Sequence, residues 1–375
     1  MTYKLSTAEL RKRNRSNVYH FFYQADAPKT KQDVAQALTL SLPTVTQNLQ
    51  ELLENGLIED AGLTASTGGR RARALRLSPH AKFAAGLSLS PEGIQLIAID
   101  LKANEIAYQQ IDRRFSNERA YWKELSEAVE DFFNAFSLDR EKLLGIGITL
   151  PGVVDDKNGM IETAPVLGIR RMQLSLLTEM LPYPAVVEND ASAAGYAEWW
   201  NRSGQNSMAY LFLGKGVGGA LLIDGKPYAG ANHRSGEFGH MCIVPGGALC
   251  RCGQQGCLEA YCSVSRLTDD LGIPLDVFFH KLFQGEETCF KVWQSYVDHL
   301  ATGIHSIRMA LDCDVVLGGL LTPYLPAFLP DLRAKLRAKN PFGEDGGYLQ
   351  LGKCGSKSNC IGAALHFVDE FLHKI

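Results

Sequence analysis

The run Leu144-Gly145-Ile146-Gly147-Ile148-Thr149-Leu150-Pro151-Gly152 decides how the body of this 375-residue chain is read. An apolar run this short, closed by Pro-Gly, reads as a buried strand that ends in a turn. Two more strand-and-turn signals follow. Met208 to Leu213 and Gly219 to Ile223 flank Gly214-Lys215-Gly216-Val217-Gly218-Gly219, and Val315-Val316-Leu317 runs into Gly318-Gly319. Upstream, Phe83 to Leu89 and Gly93 to Asp100 have the pattern of a hairpin. Short strands alternating with helices make this body α/β, and three widely spaced glycine turns divide it into two lobes around a cleft.

Around this core the composition is that of a soluble globular protein of two or three compact units. Hydrophobic residues make up 46% and charged residues 21%, and no apolar run reaches the length of a membrane span. The first residues, Met1-Thr2-Tyr3-Lys4-Leu5, lead into a charged segment and not into a signal-peptide core, so the expected location is the cytoplasm, with no membrane partner. The net charge of −3 hides an asymmetry. Residues 1–80 carry 11 Lys and Arg against 7 Asp and Glu, and the remainder 27 against 34. A basic head on an acidic body points to a polyanionic partner at one end only.

The head supplies the pattern such a partner needs. Ser6 with Glu9 opens a first helix, and Thr30 with Asp33 a second, each spaced as a capping box. Ser41 caps a third, with Pro43 in its first turn and Val45, Leu49, Leu52 and Leu53 on one apolar stripe. Thr44, Thr46, Gln47 and Asn48 lie on the other face, where hydroxyls and amides could reach base edges in a major groove. Leu57-Ile58 and Leu75 with Leu77 would form a two-stranded wing around Ser66-Thr67-Gly68-Gly69-Arg70-Arg71-Ala72-Arg73. Arg70 and Arg71 would contact phosphates or a narrow minor groove. The expected DNA-contacting set is therefore Ser41, Thr44, Thr46, Gln47, Asn48, Arg70 and Arg71, with operator DNA as partner; the alternative is a small helical domain that binds protein, with a solvated basic loop.

Three of the nine cysteines crowd into Cys250-Arg251-Cys252-Gly253-Gln254-Gln255-Gly256-Cys257. With His240 they give H-x9-C-x-C-x4-C. Three thiolates and one imidazole close a tetrahedron that suits structural zinc and leaves no position for a catalytic water. Asn189-Asp190 is placed as a helix start, where backbone N–H groups and the helix dipole favour an ionised carboxylate that could accept a hydroxyl hydrogen bond.

Taken together, Gly147-Ile148-Thr149-Leu150-Pro151-Gly152-Val153-Val154-Asp155, Glu188-Asn189-Asp190-Ala191-Ser192-Ala193-Ala194, Gly236-Glu237-Phe238-Gly239-His240, the cysteine cluster and the Ser-Thr-Gly-Gly-Arg-Arg wing make the chain similar to the ROK family of repressors and sugar kinases. The resemblance covers essentially the whole length. It implies a winged helix-turn-helix over 1–80 and an actin-like, sugar-kinase-like body: a first lobe over 81–190, joined by a C-terminal helix over 358–375, and a second lobe with the zinc site over 191–357. It also implies that Asn189, Asp190, Glu237, His240 and Glu259 bind the sugar, Asp190 standing where the kinases have their general base, with Gly152 as a backbone contact. His240 then serves two sites, one ring nitrogen on the metal and the other toward the ligand. Where the family usually has Pro-Asn-Leu, this chain has Ala164-Pro165-Val166-Leu167-Gly168.

The family's kinases open the first lobe with Asp-x-Gly-Gly-Thr. Here Ser88 replaces the aspartate, Ser90-Pro91 the glycine pair, and Glu92 brings negative charge to where phosphates would approach. Lys215 stands where the second loop of the kinases usually has threonine. The expected function is a sugar-responsive transcriptional regulator, a repressor that senses a sugar or sugar phosphate without phosphoryl transfer, as a homodimer or homotetramer. The rivals are a sugar kinase with an appended head and a regulator controlled by a protein partner.

Overall fold

The computed structural model describes residues 6–63, 72–202 and 207–375. Three helices open the chain: α1 (Thr7–Gln24), α2 (Lys31–Leu38) and α3 (Leu42–Glu54). Both expected capping boxes form: Ser6 Oγ accepts from the Glu9 N–H at 3.2 Å, and Thr30 Oγ1 from the Asp33 N–H at 3.3 Å. The α2–α3 turn is tight because Thr39 takes up a left-handed φ of 53°. Val18, Tyr19, Phe22, Val34, Val45, Leu49 and Leu52 then meet in one buried core.

The ribbon behind α3 has three strands where two were expected. β2 (Ile58–Leu63) and β3 (Arg73–Leu77) pair antiparallel, with Ile58 opposite Leu77, and β1 (Lys29–Thr30) adds to the other edge of β3. Two residues carry no period of their own, so β1 is visible only through its partner. Arg70 and Arg71 lie outside the described residues.

The body contains two five-stranded sheets of identical plan. In the first, β4 (Phe83–Leu89), β5 (Ile94–Asp100) and β6 (Glu105–Ile111) form an antiparallel meander, and β7 (Leu143–Leu150) and β11 (Ala185–Asn189) add parallel to the β4 edge. In the second, β12 (Met208–Leu213), β13 (Val217–Ile223) and β14 (Lys226–Pro227) form the meander, and β15 (Asp314–Gly319) and β16 (Leu349–Leu351) complete the parallel side. Between β7 and β11 the chain makes a small sheet of β8 (Val153–Asp155), β9 (Met160–Ala164) and β10 (Ile169–Gln173). β7 is buried from Gly145 onward, which explains its unbroken apolar reading.

Helices cover these sheets. α4 (Arg119–Ala135) packs Trp122, Leu125, Val129, Phe132 and Phe133 into the first core, and short α5 (Ser175–Thr178) follows β10. α6 (Asp190–Trp200) leaves the end of β11; α7 (Glu259–Cys262), α8 (Leu275–Phe283), α9 (Glu287–Leu311) and α10 (Leu329–Lys339) build the second lobe. The last helix, α11 (Ser358–Lys374), lies between α6 and strands β4, β5 and β7. It approaches at backbone contact: a Cβ on Gly362 would stand 1.8 Å from the Ala193 carbonyl oxygen, so no other residue fits there.

The head is not a free appendage. The Tyr19 ring meets Phe371 of α11 edge-on at 6.2 Å, the Tyr23 hydroxyl donates to the Leu101 carbonyl at 3.0 Å, and His20 Nε2 lies 3.1 Å from the Leu372 carbonyl. The apolar core of the head therefore runs continuously into α11 and β5.

Candidate ligand cleft, metal centre and nucleic-acid interface

The strand-to-helix junction β11–α6 fixes the first two of the expected site residues, Asn189 and Asp190. Asn189 caps α6: its Oδ1 accepts the Ser192 N–H at 2.8 Å, while its Nδ2 donates to the Gly152 carbonyl at 2.9 Å. A Cβ on Gly152 would come within 2.5 Å of the Thr163 carbonyl oxygen, so the glycine is required by the neighbouring β9 strand. Asp190 follows, accepting the Ala191 N–H at 2.9 Å. Its position at a helix start favours the charged form, yet burial wins: the carboxyl is raised to about 6, chiefly by desolvation, with Glu237 adding like-charge repulsion and the backbone N–H bonds opposing. This corrects the expectation, drawn from the helix dipole alone, of a comfortably ionised carboxylate.

Glu237 and His240 lie on one short turn, with His240 Nε2 3.9 Å from Glu237 Oε2. The other ring nitrogen, Nδ1, is 3.9 Å from Cys250 Sγ. His240 thus faces the acids with one nitrogen and the thiols with the other. Glu259, at the start of α7, accepts the Val217 N–H through Oε2 at 2.9 Å and places Oε1 3.8 Å from Cys250 Sγ. Gly152, Asn189 and Asp190 are thus joined on the side of the first sheet, and Glu237, His240 and Glu259 gather around Cys250 on the side of the second, with Glu237 close enough to Asp190 to repel its charge.

The donor atoms of His240, Cys250, Cys252 and Cys257 all lie within 4.8 Å of one another. Cys252 Sγ and Cys257 Sγ are 3.8 Å apart. Sulfurs at two corners of a zinc tetrahedron with bonds near 2.3 Å stand about 3.8 Å apart, so the Cys252–Cys257 pair has the spacing of two ligands of such a centre. Left to themselves these thiols diverge: burial pushes Cys250 up to about 12 and raises Cys257, whereas the Gln254 N–H lowers Cys252. A central cation would hold all three as thiolates. A second group, Asp155, Asp156 and His233, was not anticipated. His233 Nε2 lies 3.3 Å from Asp155 Oδ1 and Nδ1 lies 3.7 Å from Asp156 Oδ1, and His233 holds a left-handed φ of 53°. An Asp pair just beyond the Pro-Gly turn and a histidine four residues before Glu237 were the available signals.

The first-lobe turn is closed on itself. Ser88 is buried, and its Oγ accepts from Asn359 Nδ2 at 2.8 Å. Ser90 Oγ donates to the Gly93 carbonyl and accepts the Gly93 N–H, both at 3.0 Å. Glu92 reaches across to the second loop, its Oε1 2.6 Å from Lys215 Nζ.

In the head, Ser41 Oγ caps α3 by accepting the Thr44 N–H at 3.4 Å and contacts Thr44 Oγ1 at 2.8 Å. Thr46 and Gln47 are exposed, and the side chains of Lys31, Leu42, Thr46, Gln47 and Gln50 line one shallow depression. Asn48 departs from the expectation of an outward face. It is 7% exposed and its Nδ2 donates to the Thr44 carbonyl at 2.8 Å, because it falls beside Val45 and Leu49 where the helix turns inward.

The family model described as "ROK family" matches residues 85–369, and that described as "Winged helix-turn-helix DNA-binding" matches 21–59. The xylose repressor of Bacillus spizizenii is 30% identical over 250 residues, which is 66% of this chain and 65% of that protein. The N-acetylglucosamine repressor of Escherichia coli O6:H1 is 27% identical over 249 residues, 66% of this chain and 61% of the relative. The matched region thus spans just under two thirds of these relatives. Among solved structures, a ROK family transcriptional regulator described as a homologue of the E. coli MLC protein superposes with a TM-score of 0.78 at 20% identity, covering 97% of each chain. With its doubled sheet plan, its His–Cys cluster and a family model matching most of its length, this chain belongs to the ROK family.

Proposed function

We propose that the protein is a sugar-responsive DNA-binding repressor. It holds a sugar in the cleft between its lobes, carries structural zinc at His240, Cys250, Cys252 and Cys257, and performs no phosphoryl transfer. The observation that carries this reading is the joining of the two activities through one helix. Asn189 and Asp190 stand at the start of α6, α6 packs on α11 at backbone contact, and α11 holds α1 of the head through Tyr19–Phe371 and His20–Leu372. A ligand that moves α6 relative to the second lobe therefore acts on the element that carries the head.

In this reading Asp190, Glu237 and Glu259 accept sugar hydroxyls, and Asn189 fixes the floor of the pocket by tying α6 to Gly152. Thr46 and Gln47 face base edges and Ser41 and Thr44 order the start of the reading helix. Arg70 and Arg71 grip the backbone. A paired arrangement of heads on a palindromic operator makes the working form a homodimer or homotetramer. Zinc would brace the loop that carries His240 and Glu259; the chemistry it supplies is structural, since all four positions are taken by protein ligands.

A kinase reading has one observation in its favour. Burial holds Asp190 near 6, within the range of a general base. Against it, Ser88 and Ser90 are engaged in internal hydrogen bonds, and Glu92 places a carboxylate where phosphates would have to enter.

The test uses the full-length chain and DNA selected from a random pool. Fluorescence anisotropy of that DNA is followed while xylose, N-acetylglucosamine, glucose and their 6- or 5-phosphates are added, in parallel with a coupled ADP-release assay. Loss of DNA affinity with one sugar class and no steady ADP release is the expected outcome. Steady turnover, or failure to retain any DNA, would overturn the reading.

A further inference from the structure

Two side chains from opposite lobes meet, and neither belongs to the set from Gly152 to Glu259. Lys215 Nζ, between β12 and β13, lies 2.6 Å from Glu92 Oε1, between β4 and β5. Both are well exposed, at 63% and 60% of their side-chain surface. Pairs this open to solvent ordinarily add little to stability. What distinguishes this one is the rigidity of its two supports.

Glu92 rises from a four-residue turn bolted at both ends: Ser90 Oγ holds Gly93, and Phe115 N–H donates to the Pro91 carbonyl at 3.1 Å. Lys215 rises from a turn held from three directions. Arg251 Nη2, between two of the cluster cysteines, donates to its carbonyl at 2.5 Å; Ser265 Oγ does so at 3.4 Å; and the Glu259 carboxylate fixes the next amide but one, Val217, at 2.9 Å. The rotamer entropy that normally cancels an exposed pair is the only ordering cost left, because both backbones are already placed.

We propose that Glu92 and Lys215 form an electrostatic latch across the mouth of the cleft. It holds the two lobe-edge turns together, with a carboxylate seated against a cation that could otherwise receive a phosphate. The latch biases the lobes toward closure, so that the ligand below it has only a small remaining rearrangement to drive. Its function within a repressor rests on the reading above, but its existence does not.

Hydrogen exchange of the full-length protein, free of sugar and DNA, tests it. Peptides covering residues 86–93 and 213–218 are followed at 20 mM and 500 mM NaCl in wild type, E92Q, K215Q and E92K/K215E. In wild type, exchange of both peptides should speed up by about two- to five-fold at high salt, the size expected when a surface pair is screened. Each single variant should exchange at the fast rate at either salt, and the charge-swapped protein should regain slow, salt-sensitive exchange. Salt-independent exchange in wild type overturns the latch. So does a swapped protein that behaves like the single variants while melting at the wild-type temperature. Since neither sugar nor DNA is present, failure here leaves the repressor reading standing, and failure of that reading leaves the latch standing.

Discussion

The two edges of the cleft are built from similar material and end in opposite states. On the second lobe, His240 Nε2 lies 3.9 Å from Glu237 Oε2, and His240 Nδ1 and Glu259 Oε1 lie 3.9 and 3.8 Å from Cys250 Sγ, none of them in a short internal hydrogen bond. On the first lobe, Ser88 and Ser90 spend their hydroxyls on Asn359 and Gly93. A polar group already satisfied inside the protein is a poor ligand-binding group, because binding must first break its existing hydrogen bond. In the proposed reading the difference lies between a corner that would grip hydroxyls and a turn, closed on itself, that would have to grip phosphates.

The largest effect expected from this contrast falls on the second edge. Cys252→Ser, or chelation of metal from the wild type, should destabilise the second lobe by more than about 4 kcal/mol, the range of lost metal sites. Calorimetric melting with zinc quantification would check it. A wild-type protein that is stable and metal-free would break the comparison at its base.

Asp190→Asn should split stability from binding. Asp190 titrates near 6 when folded, above the ordinary carboxylate value of about 3.9, so its neutral form stabilises the fold at low pH and that contribution is lost as pH rises through 6. The amide is neutral throughout. D190N should therefore be up to about 3 kcal/mol more stable than wild type at pH 7, with the advantage gone at pH 4, and it should lose most of its sugar affinity. Denaturant titration at the two pH values, alongside calorimetry with the active sugar, would measure both. A variant less stable at pH 7 would mean that the charged form is welcome where it sits.

A smaller pair of effects separates the faces of α3. Gln47→Ala should relax base preference by about 1–3 kcal/mol at one operator position while leaving the melting temperature unchanged. Asn48→Ala should do the reverse, costing about 1 kcal/mol of stability through the lost bond to Thr44. Competition binding on single-base operator variants distinguishes them. The smallest effect belongs to the first edge: Ser90→Ala should cost about 1 kcal/mol or less and leave sugar affinity unaltered, which thermal melting and calorimetry would show.

Much of this was legible in the chain. The capping boxes at Ser6 and Thr30, the cap at Ser41 and the strand over 143–150 are local events, written in adjacent residues. The His–Cys spacing is local too, apart from His240, which the turn at Phe238–His240 carries to the thiols. The third head strand was not legible, since Lys29–Thr30 pairs only because β3 arrives there. The inward turn of Asn48 was missed for a similar reason. A polar residue flanking an apolar stripe is read as outward, and only the packing of Val45 and Leu49 shows that the stripe is wide enough to include it.

The sequence by itself determined most segments as helix, strand or turn, and which residues are candidates to hold metal. These follow from short-range rules of capping, period and ligand type. The tertiary structure alone decided which residues meet. Asp190 is pushed to about 6 by surroundings drawn from both lobes, Glu92 finds Lys215 across 123 positions of chain, and α1 finds the last helix more than 340 residues away. Desolvation and charge pairing depend on distance in space, and no local pattern encodes the distance between two turns that only a folded pair of sheets brings together.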